Sequence, residues 1–266
     1  MRAVRRLAGR SARQRAGLFL AEGPQAVREA LPAGAVEDLY ATEQATERYP
    51  EIVDAARVAG VPVRLCTDEV IAEMADTVTP QGLVAVCRPV DVPLEQVLDA
   101  RPRLVAVLAA VRDPGNAGTV LRAADAAGAD AVVLTTESVD VYNPKCVRST
   151  AGSLFHLSVV TGVPLAEATS RLRDAGCAVL AADGAGEHDL DQLQDQSDAG
   201  HGPLAGPVAW VFGNEAWGLP EQERTLADAS VRVPVHGRAE SLNLATAATV
   251  CLYAAARAHR RLHPGG

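Results

Sequence analysis

Two α/β units in tandem, the second built on a mostly parallel sheet, are what this sequence predicts, and three observations carry the reading. The chain has 266 residues, enough for one large domain or two modest ones that each bury a core. Arg103–Val111 and Ala131–Thr135 are near-continuous apolar runs, the pattern of parallel strands covered on both faces. Further strand candidates then alternate with helical stretches, as an open parallel sheet requires. The composition, 48% hydrophobic and 22% charged, excludes a disordered, collagen-like or coiled-coil chain. No apolar run reaches the roughly 18 to 20 residues of a membrane span, and the arginine-rich start lacks a signal-peptide core. Cys66, Cys87, Cys146, Cys177 and Cys251 are odd in number, widely spaced and form no C-x-x-C pair. The expectation is a soluble cytoplasmic protein with no disulfide framework and no metal site.

The first unit is expected over residues 1–92. Gly17–Gly23 reads as a short strand entering a turn, and Pro24 suits the first turn of a helix running through Leu31. Glu37–Ala41, Pro62–Cys66 and Leu83–Cys87 read as strands, with a helix over Pro50–Ala59. Pro89–Pro102 holds three prolines around a short helical stretch, Leu94–Ala100, and residues 93–102 are read as a linker. The second unit then covers 103–266. Beyond its two apolar runs, Cys177–Ala182, Val208–Phe212 and Ser230–Val233 read as strands. Helices are expected near 117–128, 144–150, 165–175, 221–227 and 242–261. Asp183–Pro207, rich in Asp, Gln and Gly, reads as a mobile surface excursion.

Net charge is -8 with a pI near 5.3, unlike the basic surface of many nucleic-acid-binding domains. The distribution says something different. Arg2, Arg5, Arg6, Arg10, Arg13 and Arg15 all precede the first acid, Glu22. A local basic segment can hold phosphates on an otherwise acidic protein; the alternative is a solvated tail.

Three segments each follow a strand and combine glycine with polar side chains. In Asp113–Gly128, Asn116 stands at the turn, and Arg122 interrupts a small apolar helix where an arginine needs an anionic partner or a groove. A helix cap and a surface arginine are the alternative. In Val211–Pro220, Gly213 allows close approach of a ligand to the backbone, and Glu215 stands at the sheet's edge. In Val231–Asn243, Ser241 is placed to cap the following alanine-rich helix, with Asn243 in its first turn. Ligands of open α/β sheets sit outside the carboxyl ends of the strands, so the three loops define one candidate site. Phosphate-loop, zinc-protease and nucleophile-elbow signatures are absent, and Gly184-Ala-Gly186 lacks the third glycine of a dinucleotide fingerprint. That argues against a nucleotide-dependent oxidoreductase. Spacing alone takes the ligand no further.

The same three segments resemble, in order, the three motifs of the SpoU-type (TrmH-like) RNA 2′-O-ribose methyltransferases of the SPOUT superfamily. Asn116 and Arg122 match the first. Gly213-Asn-Glu-Ala-Trp-Gly-Leu219 matches the second, and Pro234, Gly237 and Ser241-Leu-Asn243 the third. Tyr142–Gly152 is similar to the family's segment between motifs one and two. Phe19–Leu31 and Pro80–Ala85 look like the ribosomal-protein-like domain often fused ahead of such catalytic domains.

The resemblance implies a small L30e-like N-terminal α/β domain that binds RNA, followed by a SPOUT α/β domain with a C-terminal trefoil knot. It implies S-adenosylmethionine as cofactor, held around Gly213, Asn214, Gly218, Val233, Pro234, Val235, Ser241 and Leu242. Arg122 is the residue such families charge with the ribose hydroxyl, with Asn116, Glu215, Ser241 and Asn243 as the polar shell around it. A guanidinium holds its proton tightly, so pairing with an RNA phosphate is the alternative to direct proton removal. Arg5, Arg6, Arg10, Arg13, Arg148 and Ser149 are the expected RNA contacts, and a homodimer through the C-terminal domain is expected. Ribosomal RNA is the expected substrate. A tRNA methyltransferase and a non-catalytic, ribosome-associated RNA-binding protein are the alternatives.

Overall fold

Apolar and β-branched residues concentrate in short strands that form two separate sheets in the computed structural model, which describes residues 2–262. The described residues divide accordingly into 2–90 with 140–156, and 91–139 with 157–262.

The first unit contains β1 (Phe19–Glu22), β2 (Val36–Ala41), β3 (Val63–Leu65) and β4 (Leu83–Cys87) in the order β1-β4-β2-β3. β4 is antiparallel to both neighbours, and β2 and β3 run parallel. Alternation sends Leu20, Val84 and Val86 to one face, where they pack with Ile71, Met74, Val4 and Leu7. The last two belong to an N-terminal segment that forms two short helices, Arg2–Arg6 and Arg10–Ala16. Burial of Val4 and Leu7 orders this segment.

The sequence division placed residues 140–156 in the second unit, and the structure corrects it. Phe19 meets Tyr142 with ring centroids 4.5 Å apart, and Phe155 at 6.2 Å. The helix Pro144–Thr150 packs on β1. Gly152 has φ +101°, and a Cβ there would lie 2.6 Å from the Glu29 side chain, so close packing requires glycine. Arg148 donates to Glu22 at 3.0 Å and to Asp76 at 3.2 Å. Burial raises the Glu22 pKa above its ordinary value, against the lowering pull of the Asp76 N–H and of Arg148. The aromatic cluster and buried carboxylate explain why this segment leaves its sequence neighbours.

The second unit is a parallel seven-stranded sheet. Its strands are β5 (Leu104–Leu108), β6 (Ala131–Thr135), β7 (Ser158–Val163), β8 (Ala178–Ala182), β9 (His188–Asp189), β10 (Val208–Phe212) and β11 (Ala229–Arg232), in the order β7-β6-β5-β10-β8-β11-β9. Val105, Val107, Val179, Ala181, Ala209 and Val211 share one face and pack with Ala168 and Leu172 of the helix Leu165–Asp174. Leu94 and Val97 join this cluster, so the expected linker is instead an integral helix, Leu94–Asp99, held by its apolar residues. Two further helices, Pro114–Ala127 and Leu244–Leu262, pack against each other. The expected excursion at 183–207 is also folded, with Leu190 and Leu193 buried along the helix Leu190–Asp198. Burial pushes the Cys87 and Cys251 thiols up to about 12, which removes both from thiolate chemistry at neutral pH.

Candidate active site

The carboxyl ends of β5, β10, β8 and β11 are adjacent in the sheet, which brings loops distant in sequence to one edge. After β5 the chain turns sharply at Ala110, whose φ of +52° is unusual for a residue with a Cβ. The strain, of order 1–3 kcal/mol, persists because both peptide groups are tied down. Ala110 N–H donates to Thr135 Oγ1 at 3.1 Å, and its carbonyl accepts from Asn214 Nδ2 at 2.7 Å.

β10 ends at Gly213, where a Cβ would stand 2.4 Å from the Gly218 carbonyl carbon and 2.7 Å from Leu219 N. The Asn214–Gly218 loop folds back this tightly because nothing occupies that position. Gly213→Ala is therefore expected to force the backbone apart, costing about 1–3 kcal/mol of stability. The same displacement should weaken binding of the cofactor that the resemblance implies roughly ten-fold. Calorimetric titration and thermal unfolding of the variant check both effects; unchanged affinity and melting temperature would show that the loop accommodates a methyl group.

Glu215 ties this loop to the one after β5. Its carboxylate accepts from Asp113 N at 3.0 Å, Arg112 N at 3.2 Å and Asn116 Nδ2 at 3.3 Å. Asn116 Oδ1 in turn accepts from Asn243 Nδ2 at 3.1 Å. Capping leaves amide groups for this network at both helices: the Asn116 side chain is spared by another cap, and Asn243 caps through Oδ1 while its Nδ2 joins the network. Asp113 caps the Pro114–Ala127 helix by accepting from Asn116 N at 2.7 Å, which leaves the Asn116 side chain available. Asn243, and not Ser241, caps the last helix, with Oδ1 accepting from Ala245 N at 2.9 Å.

Beside the network lies a cavity of about 280 Å³ lined by carboxylates and apolar groups. Gly213, Asn214, Gly218, Val233, Val235, Ser241 and Leu242, all expected at a cofactor, line it with Glu215; Pro234 is not among the lining residues. Asp183 and Gly184 at the end of β8 also line it, and the sequence reading had placed both in a mobile excursion. Glu240 is the third carboxylate, while Asp183 is partly neutralised by Arg224 at 3.1 Å. No lysine, arginine or histidine is among the lining residues. Such a wall repels a phosphate and suits a cationic ligand. Arg122 does not line the cavity. It is exposed on the helix that carries Asn116, in a stripe with Thr119 and Ala126.

Residues 103–253 match the SpoU rRNA Methylase family, over more than half the chain. The chain belongs to that family. Residues 1–85 match the MRM3-like substrate binding domain. This SpoU protein is 34% identical to the 23S rRNA (guanosine(2553)-2'-O)-methyltransferase RlmP of Bacillus subtilis, over 91% of this chain and 89% of that protein. Its structure is similar to that of the AdoMet-bound rRNA methyltransferase from Sinorhizobium meliloti, with 31% identity, TM-score 0.81, and 96% and 93% of the two chains covered. It is also similar to the SpoU methyltransferase AviRb from Streptomyces viridochromogenes in complex with AdoMet, with 30% identity, TM-score 0.81, and 96% of each chain covered.

In this SpoU protein the expected RNA contacts divide. Arg5, Arg6 and Arg10 are exposed. Arg13 is not available to RNA: its side chain is 5% exposed and pairs with Asp140 at 2.6 Å. Arg148 is committed to Glu22 and Asp76, and the Ser149 hydroxyl donates to the Lys145 carbonyl at 2.8 Å. Acidic neighbours distant in sequence account for both arginines. Arg112 and Trp217, which lie beside the Glu215 network, carried no sequence signal beyond their place next to motif residues.

Proposed function

We propose that this chain is an S-adenosylmethionine-dependent RNA 2′-O-methyltransferase acting on ribosomal RNA. The observation that carries the reading is the cavity at the motif loops, ringed by Asp183, Glu215 and Glu240 with no basic lining residue. When bound, S-adenosylmethionine supplies a methyl group on a cationic sulfur. The chain's own task is to hold that methyl in line with a ribose hydroxyl and to help the hydroxyl lose its proton. Val233, Val235 and Leu242 offer apolar walls, and Gly213 and Gly218 let backbone approach the ligand.

Glu215, Asn116 and Asn243 form a continuous polar chain at the cavity's edge, suited to orienting the ribose. Arg122 lies outside the cavity, where an RNA phosphate can reach it, which favours a role toward substrate over one toward cofactor. Arg5, Arg6 and Arg10 supply phosphate contacts from the N-terminal unit. Val250 and Tyr253 are large exposed apolar side chains of the last helix and support a homodimer through the catalytic unit, whose C-terminal segment we read as the trefoil knot. A cytoplasmic site of action suits the five free cysteines.

Mapping 2′-O-methyl groups in RNA from cells with and without the gene tests the reading. One ribosomal site should lose its methyl group, and the purified protein with S-adenosylmethionine should restore it. Loss confined to a tRNA would move the substrate. Unchanged maps, with no methyl transfer in vitro, would overturn the enzymatic reading.

A further inference from the structure

An exposed aromatic ring stands on the loop that carries Glu215. Trp217 is 54% exposed, and the Arg112 guanidinium carbon lies 5.4 Å from its ring centroid. The loop beneath it is closed by reciprocal bonds of 2.9 Å between the Asn214 and Gly218 peptide groups. The Arg112 backbone is held from the other side, because its peptide N–H donates to the same Glu215 carboxylate that accepts from Asn116 Nδ2. Ring and cation are thus placed by the network that organises the candidate catalytic residues, yet the ring does not line the cofactor cavity. Core packing does not require this indole, since half of its surface meets solvent. Cofactor binding does not account for it either.

An indole with a guanidinium over one face suits one kind of ligand on this enzyme, a nucleobase. Every base has a π-face, base–aromatic stacking is tolerant of sequence, and an adjacent arginine adds attraction for the ring and for the phosphate. Methylating a ribose within folded RNA also requires the nucleotide to be turned out of its stack, and the exposed base must then find a new stacking partner. We propose that Trp217, backed by Arg112, is the stacking platform that receives the nucleobase at the methylated ribose, a positioning role that rests on the methyltransferase reading above. It touches base and not cofactor, so it should act through RNA affinity.

The test uses the full-length enzyme, 23S rRNA and S-adenosylmethionine with a labelled methyl group. Trp217→Ala should raise the KM for RNA by roughly 5- to 150-fold, the range for losing one base–aromatic stack, with S-adenosylmethionine affinity unchanged; Trp217→Phe should recover most of the loss. The chain has two tryptophans, and Trp210 is fully buried, so quenching of fluorescence reports on Trp217. A short oligoadenylate should quench it, and an abasic ribose-phosphate of equal length should not. An unchanged KM, or equal quenching by the abasic strand, would overturn the proposal. So would a change of sedimenting species in Trp217→Ala, which would make the ring an interface residue. If the wild-type enzyme methylates no RNA, the methyltransferase reading fails, and the fluorescence comparison still decides the platform.

Discussion

Replacing Arg122 with alanine should lower methyl transfer by ~100- to 10,000-fold, the range for losing a positioning or proton-transfer group, while the protein folds and binds S-adenosylmethionine as before. The separation of effects follows from where the side chain sits. The Arg122 side chain is exposed and makes no hydrogen bond or ion pair among the described residues, so its removal disturbs no packing. It lies off the cavity, so cofactor affinity should not move. The helix it occupies begins with Pro114, and Asn116 in its first turn holds the network to Glu215 and Asn243, which fixes that helix beside the site. Arg122→Lys distinguishes two roles. Lysine keeps the charge but loses the planar fork that holds a phosphate by two donors. An active lysine variant indicates charge stabilisation; an inactive one indicates fork geometry. Normal turnover of Arg122→Ala on a verified RNA would remove the residue from the mechanism.

Arg13→Ala should destabilise the protein by about 3–5 kcal/mol, the cost of breaking a buried ion pair by removing one partner. Arg13 donates to Asp140 Oδ2 through Nε at 3.1 Å and Nη2 at 2.6 Å, and to the Leu7 and Ala8 carbonyls at 2.9 and 2.7 Å. Asp140 Oδ1 meanwhile accepts from Tyr142 N at 3.0 Å, so the pair organises the start of the 140–156 segment. Arg10→Ala is the control, an exposed residue in the same helix expected to stay within about 0.5 kcal/mol of wild type. Denaturant midpoints compare the two. Arg10→Ala should instead flatten the salt dependence of RNA binding. Equal midpoints for both variants would mean that the Arg13–Asp140 pair contributes nothing to folding.

The strands of the second unit were readable because parallel strands buried on both faces must be apolar throughout, as Leu104–Leu108 and Val208–Phe212 are. The strand-end positions of Asn116, Gly213, Glu215 and Asn243 were readable for a related reason: glycine and polar side chains interrupt the apolar runs there, with helix capping as the competing explanation for the two asparagines. Other features depend on residues remote in sequence and carry no local signal. Arg13 read as one more RNA-contacting arginine of the N-terminal arm, because nothing nearby marks Asp140, 127 positions away, as its partner. Residues 140–156 leave the unit that surrounds them in sequence because Phe19 offers them an aromatic cluster. Leu190 and Leu193 convert an apparently polar excursion into a folded layer through two side chains. Sequence by itself therefore determined the fold class and the motif loops, which are written in local composition and spacing, and it pointed to the chemical family through the resemblance of those loops to known motifs. Tertiary packing decided which arginines are free, which amide caps which helix, and that Trp217 stands beside Glu215. Charge pairing, capping and exposure are properties of neighbours in space, and the chain order does not state them.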